Sequence, residues 1–143
     1  MAVCTRTELQ IPSHFGCEKI AMEFVAFVAK RTGFSEAQIE DLKTAVSEAC
    51  LNAIEQGNEM DNTKRVGITL TVEDSRLQVE VHDDGKGIGQ VHPPRIEDQI
   101  EGKYKPRGWG VFLIKSLMDN VEFETMPEGG NVVRMILYIK KND

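Results

Sequence analysis

Glu48 and Asn52 stand four residues apart in a run whose apolar residues recur at helical spacing, so their side chains project from nearby points on one helix face. A carboxylate there can take a proton from a hydroxyl or water, and a neutral amide oxygen can ligate Mg²⁺ while its nitrogen donates elsewhere. The solvent face of an ordinary amphipathic helix would carry the same pair. Ala45, Ala49 and Ala53 set small residues beside it and leave room for something to approach the helix. Asn58, just past Gly57, either assists the pair or serves as a cap or turn residue.

Two glycine-bearing segments add to this pair. His82-Asp83-Asp84-Gly85-Lys86-Gly87-Ile88 follows directly on an alternating apolar run. Gly85 and Gly87 permit tight turns and close ligand approach, and Asp83 can accept a hydrogen bond from an amino group such as that of adenine. A β-turn that requires Asp and Gly accounts for the same residues. Arg107-Gly108-Trp109-Gly110 precedes a helical pattern over Val111–Met118. The N–H groups of Gly108, Gly110 and the helix start form an anion site, and Lys105 and Arg107 can add positive charge at the phosphate end of a nucleotide. A plain helix start is the alternative. The chain has neither G-x-x-x-x-G-K-[ST] nor G-x-G-x-x-G, so a nucleotide pocket built from these pieces is of another kind.

The elements that would position these residues follow from periodicity. Leu9 and Ile11 alternate with polar residues before Pro12, a short strand. Ile20, Phe24, Val25, Phe27 and Val28 cluster at helical spacing, with Gly33 as terminator. Ser35 and Gln38 make a capping box, flanked by the staple pair Phe34 and Ile39, and open a second helix that runs to near Gly57. Val66, Ile68, Leu70 and Val72 share one face, as do Leu77, Val79 and Val81 after the turn at Glu73–Ser75, which predicts an antiparallel hairpin. A long polar stretch to Pro106 has the character of a functional loop, and two further strands flank the turn at Pro127–Gly130. The order β-α-α-β-β-loop-α-β-β predicts an α/β two-layer sandwich, a mixed and mostly antiparallel sheet with helices on one face.

With 143 residues, 41% of them hydrophobic, the chain is expected to form one domain over residues 1–143. A formal charge of −6, with no concentrated basic surface, argues against nucleic acid as the main partner. No window is apolar over the eighteen or more residues that a membrane span needs, and the N-terminal MAVCTRTELQ lacks the pattern of a secretory signal, so no membrane association and a cytoplasmic location are expected. Cys4, Cys17 and Cys50 are widely spaced and form neither a disulfide framework nor a zinc site.

The segment Glu48-Ala49-Cys50-Leu51-Asn52 through Asn58 resembles the N box of the GHKL ATPase and histidine-kinase-like superfamily. Asp83-x-Gly85-x-Gly87 resembles its first glycine box, and Arg107-Gly108-Trp109-Gly110 with the following Val111–Asp119 resembles its second. The likeness extends from about residue 8 to residue 139 and is closer to the bacterial anti-sigma-factor serine/threonine protein kinases. The resemblance implies the GHKL ATP-binding fold, with ATP and Mg²⁺ as cofactors. It implies Asn52 as the Mg²⁺ ligand, Glu48 as the catalytic base toward a target serine, and Asp83 as the adenine-recognising residue. Gly85, Gly87, Gly108 and Gly110 become backbone-approach or phosphate-loop positions, and residues 89–106 an ATP lid. Gly129-Gly130-Asn131 takes the place of the last glycine box, with Asn131 where Ser or Thr is usual, and Gln56 replaces a common histidine or aromatic residue. The implied activity is phosphorylation of an anti-anti-sigma protein with a STAS domain, with a sigma factor or stress-signalling complex as a further partner and a homodimer as the assembly. A noncatalytic, nucleotide-dependent partner switch is the alternative.

Overall fold

Ser35 fixes the start of the helix that carries Glu48 and Asn52. In the computed structural model, which describes residues 5–84 and 107–140, the Ser35 hydroxyl accepts the Gln38 N–H at 3.1 Å and Gln38 Oε1 receives the Ser35 N–H at 3.4 Å. This is the reciprocal capping box expected at the start of α2 (Glu36–Asn52). The Gln38 amide also donates to the Tyr138 carbonyl at 2.7 Å, so the cap ties the helix start to the end of the last strand. The preceding helix, α1 (Glu18–Arg31), ends as its glycine predicts: Gly33 takes φ 97° and the Phe34 N–H reaches back to the Ala29 carbonyl at 3.2 Å. Phe34 is thereby turned inward and buried.

The far end of α2 differs from the plain helix expected. Regular α-helical bonding stops at Asn52, and Ala53–Gly57 forms a π-turn closed by the Asn58 N–H on the Ala53 carbonyl at 2.8 Å. A single widened turn inserts one residue without disturbing the apolar stripe, so hydrophobic spacing does not reveal it.

Five strands, β1 (Thr5–Pro12), β2 (Arg65–Glu73), β3 (Arg76–His82), β4 (Asn120–Thr125) and β5 (Asn131–Tyr138), form a sheet in the order β1-β2-β3-β5-β4. All four pairings are antiparallel, the antiparallel end of the mixed sheet expected. The β2–β3 register sets Ile68 opposite Val81 and Leu70 opposite Val79, so their side chains share one face. That face is buried with Met135 of β5 beneath Val25, Leu42 and Val46 of the first two helices, Ile54 of the π-turn and Ile114 of α3 (Arg107–Leu117). The opposite face is polar: Arg134 Nε donates to Glu80 at 2.8 Å and its guanidinium also meets Glu122 at 3.5 Å. The hydrogen bond to Glu80 is the main reason the Arg134 pKa is raised further. One covered and one polar face is the two-layer α/β sandwich that the sequence predicts.

Helix α3 begins at Arg107 and not at Val111. Gly108 and Gly110 therefore lie inside its first turn, and no glycine loop separates them from it. Among the described residues no helix is long and apolar enough to cross a membrane.

Candidate functional site

α2 and α3 pack against one another, and the contact falls on the residues that the sequence singled out. A Cβ placed on Gly110 would stand 2.8 Å from Glu48 Oε2 and 3.4 Å from the Asn52 amide nitrogen. The two α2 side chains thus converge on the first turn of α3, the part of a helix whose backbone N–H groups have no intrahelical partner. Glycine at 110 leaves that space to the polar groups. Both Glu48 and Asn52 are partly exposed, so each can reach a ligand.

From this point a cleft runs between α2 and the ends of β3 and β5. Ala49, Asn52, Ala53 and Gly57 line one wall, Val81 and Asp83 another, and Val111, Phe123, Glu124 and Asn131–Val133 complete it. Ala49 and Ala53 contribute only small side chains to their wall, whereas Ala45, the third small residue of the series, does not line the cleft. Asp83 does line it. Its backbone N–H donates to the Asn131 carbonyl at 3.0 Å, and its Oδ1 accepts the Asn131 N–H at 3.1 Å. The Asn131 amide nitrogen lies 3.4 Å from each carboxylate oxygen of Asp83, and the Asn131 amide oxygen receives the Thr125 hydroxyl at 3.1 Å. Asn131 therefore holds Asp83 from β5 despite its departure from the usual hydroxyl residue.

Gly57 presses on Asp83 from the other side: a Cβ there would collide with the Asp83 carboxylate group. Gly130 likewise has no room for a side chain, because the Asp83 backbone carbonyl occupies that space. Three neighbours from two separate segments, Gly57 after α2 and Gly130–Asn131 at the start of β5, thus fix one aspartate.

The structure brings Glu48, Asn52 and Gly110 together, with Asn52 of this group lining the cleft, and sets Asp83 with Asn131 on the same cleft. Arg107 and Gly108 open α3 beside the first group. Gly85, Gly87, Lys105 and the expected lid at 89–106 lie outside the described residues. Sequence reasoning missed Val111, Phe123 and Glu124 as cleft residues. Phe123 and Glu124 belong to a strand whose alternation signalled only a sheet.

The donor set suits a magnesium nucleotide. Among the described residues no group of three or more His, Cys, Asp or Glu could hold a metal ion. One amide oxygen beside one carboxylate instead fits Mg²⁺ that arrives with phosphates and keeps part of its water shell. The first turn of α3, as a helix start, fits the phosphates, and the pinned carboxylate of Asp83 fits an amino group on a base.

Comparison with known proteins identifies the family and the fold. The family described as the histidine kinase-like ATPase domain matches residues 17–137. The serine-protein kinase RsbW of Bacillus licheniformis is 34% identical over 124 residues, covering 80% of this chain and 73% of the relative. RsbW of Bacillus subtilis strain 168 is 33% identical over 142 residues, covering 92% of this chain and 84% of the relative. Among solved structures, the RsbU and RsbW domains of Rv1364c from Mycobacterium tuberculosis superpose with a TM-score of 0.70 at 14% identity, over 96% of this chain and 33% of that longer one. A chain of the SiaB–SiaC complex from Pseudomonas aeruginosa gives a TM-score of 0.67 at 11% identity, over 92% of this chain and 88% of its own. At such identities the two structures speak to the fold alone.

Proposed function

The chain belongs to the histidine kinase-like ATPase family, in its RsbW-like anti-sigma-factor kinase branch, and on that premise we propose that it phosphorylates a serine or threonine of a STAS-domain anti-anti-sigma partner, using MgATP. The observation that carries this reading is the convergence of Glu48 and Asn52 on the first turn of α3. A base, a cation ligand and an anion-binding helix end then face one space.

Bound MgATP would supply the γ-phosphoryl group, its bond to the β-phosphate breaking as ADP leaves and the bond to the partner hydroxyl forms, together with a cation that would offset the phosphate charge. Asn52 would hold the cation through its amide oxygen. The N–H groups at the start of α3 orient phosphate oxygens, a fixed dipole array that needs no rearrangement during transfer. Glu48 takes the proton from the incoming hydroxyl, and Asp83, on the same cleft, accepts a hydrogen bond from the adenine amino group. The same reading places the protein in the cytoplasm and makes a sigma factor or a stress-signalling complex its second partner.

The test is phosphotransfer from radiolabelled MgATP to STAS-domain proteins encoded by the same organism. Wild-type protein is expected to label one serine or threonine. Glu48→Ala is expected to slow transfer by about 10²–10⁴-fold, the usual worth of a general base, while keeping most nucleotide affinity. Nucleotide-dependent partner binding with no labelled residue would replace the kinase by the noncatalytic switch. Equal transfer rates for wild type and Glu48→Ala would remove Glu48 from its role.

A further inference from the structure

Asn58 is fully buried, with 0% of its surface exposed, and it is a polar residue outside the set assigned to the reaction. Its side chain is engaged on both ends. Oδ1 accepts the Asp84 N–H at 2.8 Å, while Nδ2 donates to Ser13 Oγ at 2.7 Å and to the Arg65 carbonyl at 3.1 Å. Ser13 in turn donates to the Lys64 carbonyl at 2.7 Å. One amide thus joins the segment just after β3 to the end of β1 and the start of β2.

This junction lies directly behind Asp83. The N–H that Asn58 holds belongs to the next residue, and the residue before Asn58 is Gly57, which abuts the Asp83 carboxylate. On the other flank, Asn131 bonds both the Asp83 backbone and its carboxylate. The π-turn is what delivers Asn58 to this place. Without its extra residue, an α-helical path would rotate position 58 by about 100° around the axis, away from Asp84.

We propose that Asn58 is a positioning residue for nucleotide-base selection: through the Asp84 N–H it holds the Asp83 carboxylate where it favours a 6-amino purine over a 6-oxo purine. The inference rests on the assignment of Asp83 to the base end of the cleft. A carboxylate only accepts hydrogen bonds, so it attracts an exocyclic amino group and repels an exocyclic carbonyl. That discrimination requires a carboxylate that cannot swing aside and admit water. Removing the Asn58 amide leaves the Asp84 N–H and the Arg65 carbonyl without their partner and frees the backbone on one flank of Asp83.

The experiment compares the dissociation constants of MgATP and magnesium inosine triphosphate, which carries a 6-oxo group, by calorimetry on the full chain. Wild type is expected to prefer ATP, and Asn58→Ala to reduce the ratio of the two constants by about tenfold, the scale of one hydrogen bond to a charged group. Val25→Ala, a core change in α1, serves as a control that loses stability and is expected to keep the wild-type ratio. Ser13→Ala removes the hydroxyl that supports Asn58 and leaves the Asp84 bond, so an intermediate ratio is expected. A wild type that binds both nucleotides equally would overturn the base-end reading of Asp83 and this inference with it. A wild type that discriminates, with an unchanged ratio in Asn58→Ala, would overturn the inference alone. If Asn58→Ala does not fold, an unchanged ratio in Ser13→Ala overturns it.

Discussion

Cys50 lies two residues from both Glu48 and Asn52, which on a helix turns it to the opposite side, and there it is fully buried. Burial first, and the charge of Glu18 second, push its thiol pKa from 9.0 up to about 12. A folded-state pKa raised above the unfolded value gives a stabilising contribution that is complete below about pH 9 and is lost as pH rises toward 12. Wild type should therefore lose stability faster than Cys50→Ala across that window, by no more than about 1.4 kcal/mol per pH unit for one proton. Urea unfolding at pH 8, 9.5 and 10.5 measures this, and parallel slopes for the two proteins would refute it. Glu48, Asn52 and Asp83 stood out in the sequence because their signal is local: a helical spacing, or an acid beside glycines. Asn58 and Asn131 did not disclose what they hold, because their partners Asp84 and Asp83 lie 26 and 48 residues away in the chain. An amide's type was visible; its partner was a matter of tertiary structure.

The same division holds for whole elements. The Ser35–Gln38 box and the Gly33 stop were legible because each is closed by backbone groups a few residues away, and both form as read. The start of α3 was misplaced because two glycines signal a loop on propensity alone, whereas here packing against α2 keeps them helical. Gly110→Ala separates these influences. Alanine should favour the helix intrinsically by up to about 1 kcal/mol. Its Cβ would come within 2.8 Å of Glu48 Oε2, the far end of a flexible side chain that can move aside at little cost. The expected result is a thermal midpoint within a few degrees of wild type together with a loss of phosphotransfer of at least about tenfold, since a misplaced catalytic group is costly. A variant that keeps full transfer would show that the Glu48 carboxylate is not held for the reaction by its place on α3.

At the scale of the molecule, the cleft is formed by parts that meet only when the chain is folded: α2 and its π-turn, the end of β3, α3, and the facing residues of β4 and β5. A ligand that spans it binds the native state and not the unfolded chain, so it adds stability of RT ln(1 + [L]/Kd), about 2.7 kcal/mol at a hundred times Kd. For a chain of this size that corresponds to a rise of roughly 8–10 °C in the unfolding midpoint. Asn52 and Asp83 make separable contributions. Asn52→Ala should remove most of the difference between ATP with Mg²⁺ and ATP with a chelator, because the cation is then held only by phosphates and water. Asp83→Asn should lower the ATP-induced rise in both conditions by a similar amount, because the base contact does not involve the cation. Scanning calorimetry of wild type and both variants, with and without chelator, distinguishes these patterns. A full Mg²⁺-dependent rise in Asn52→Ala would place the cation elsewhere, and the convergence of Glu48 and Asn52 on α3 would then serve packing rather than the metal.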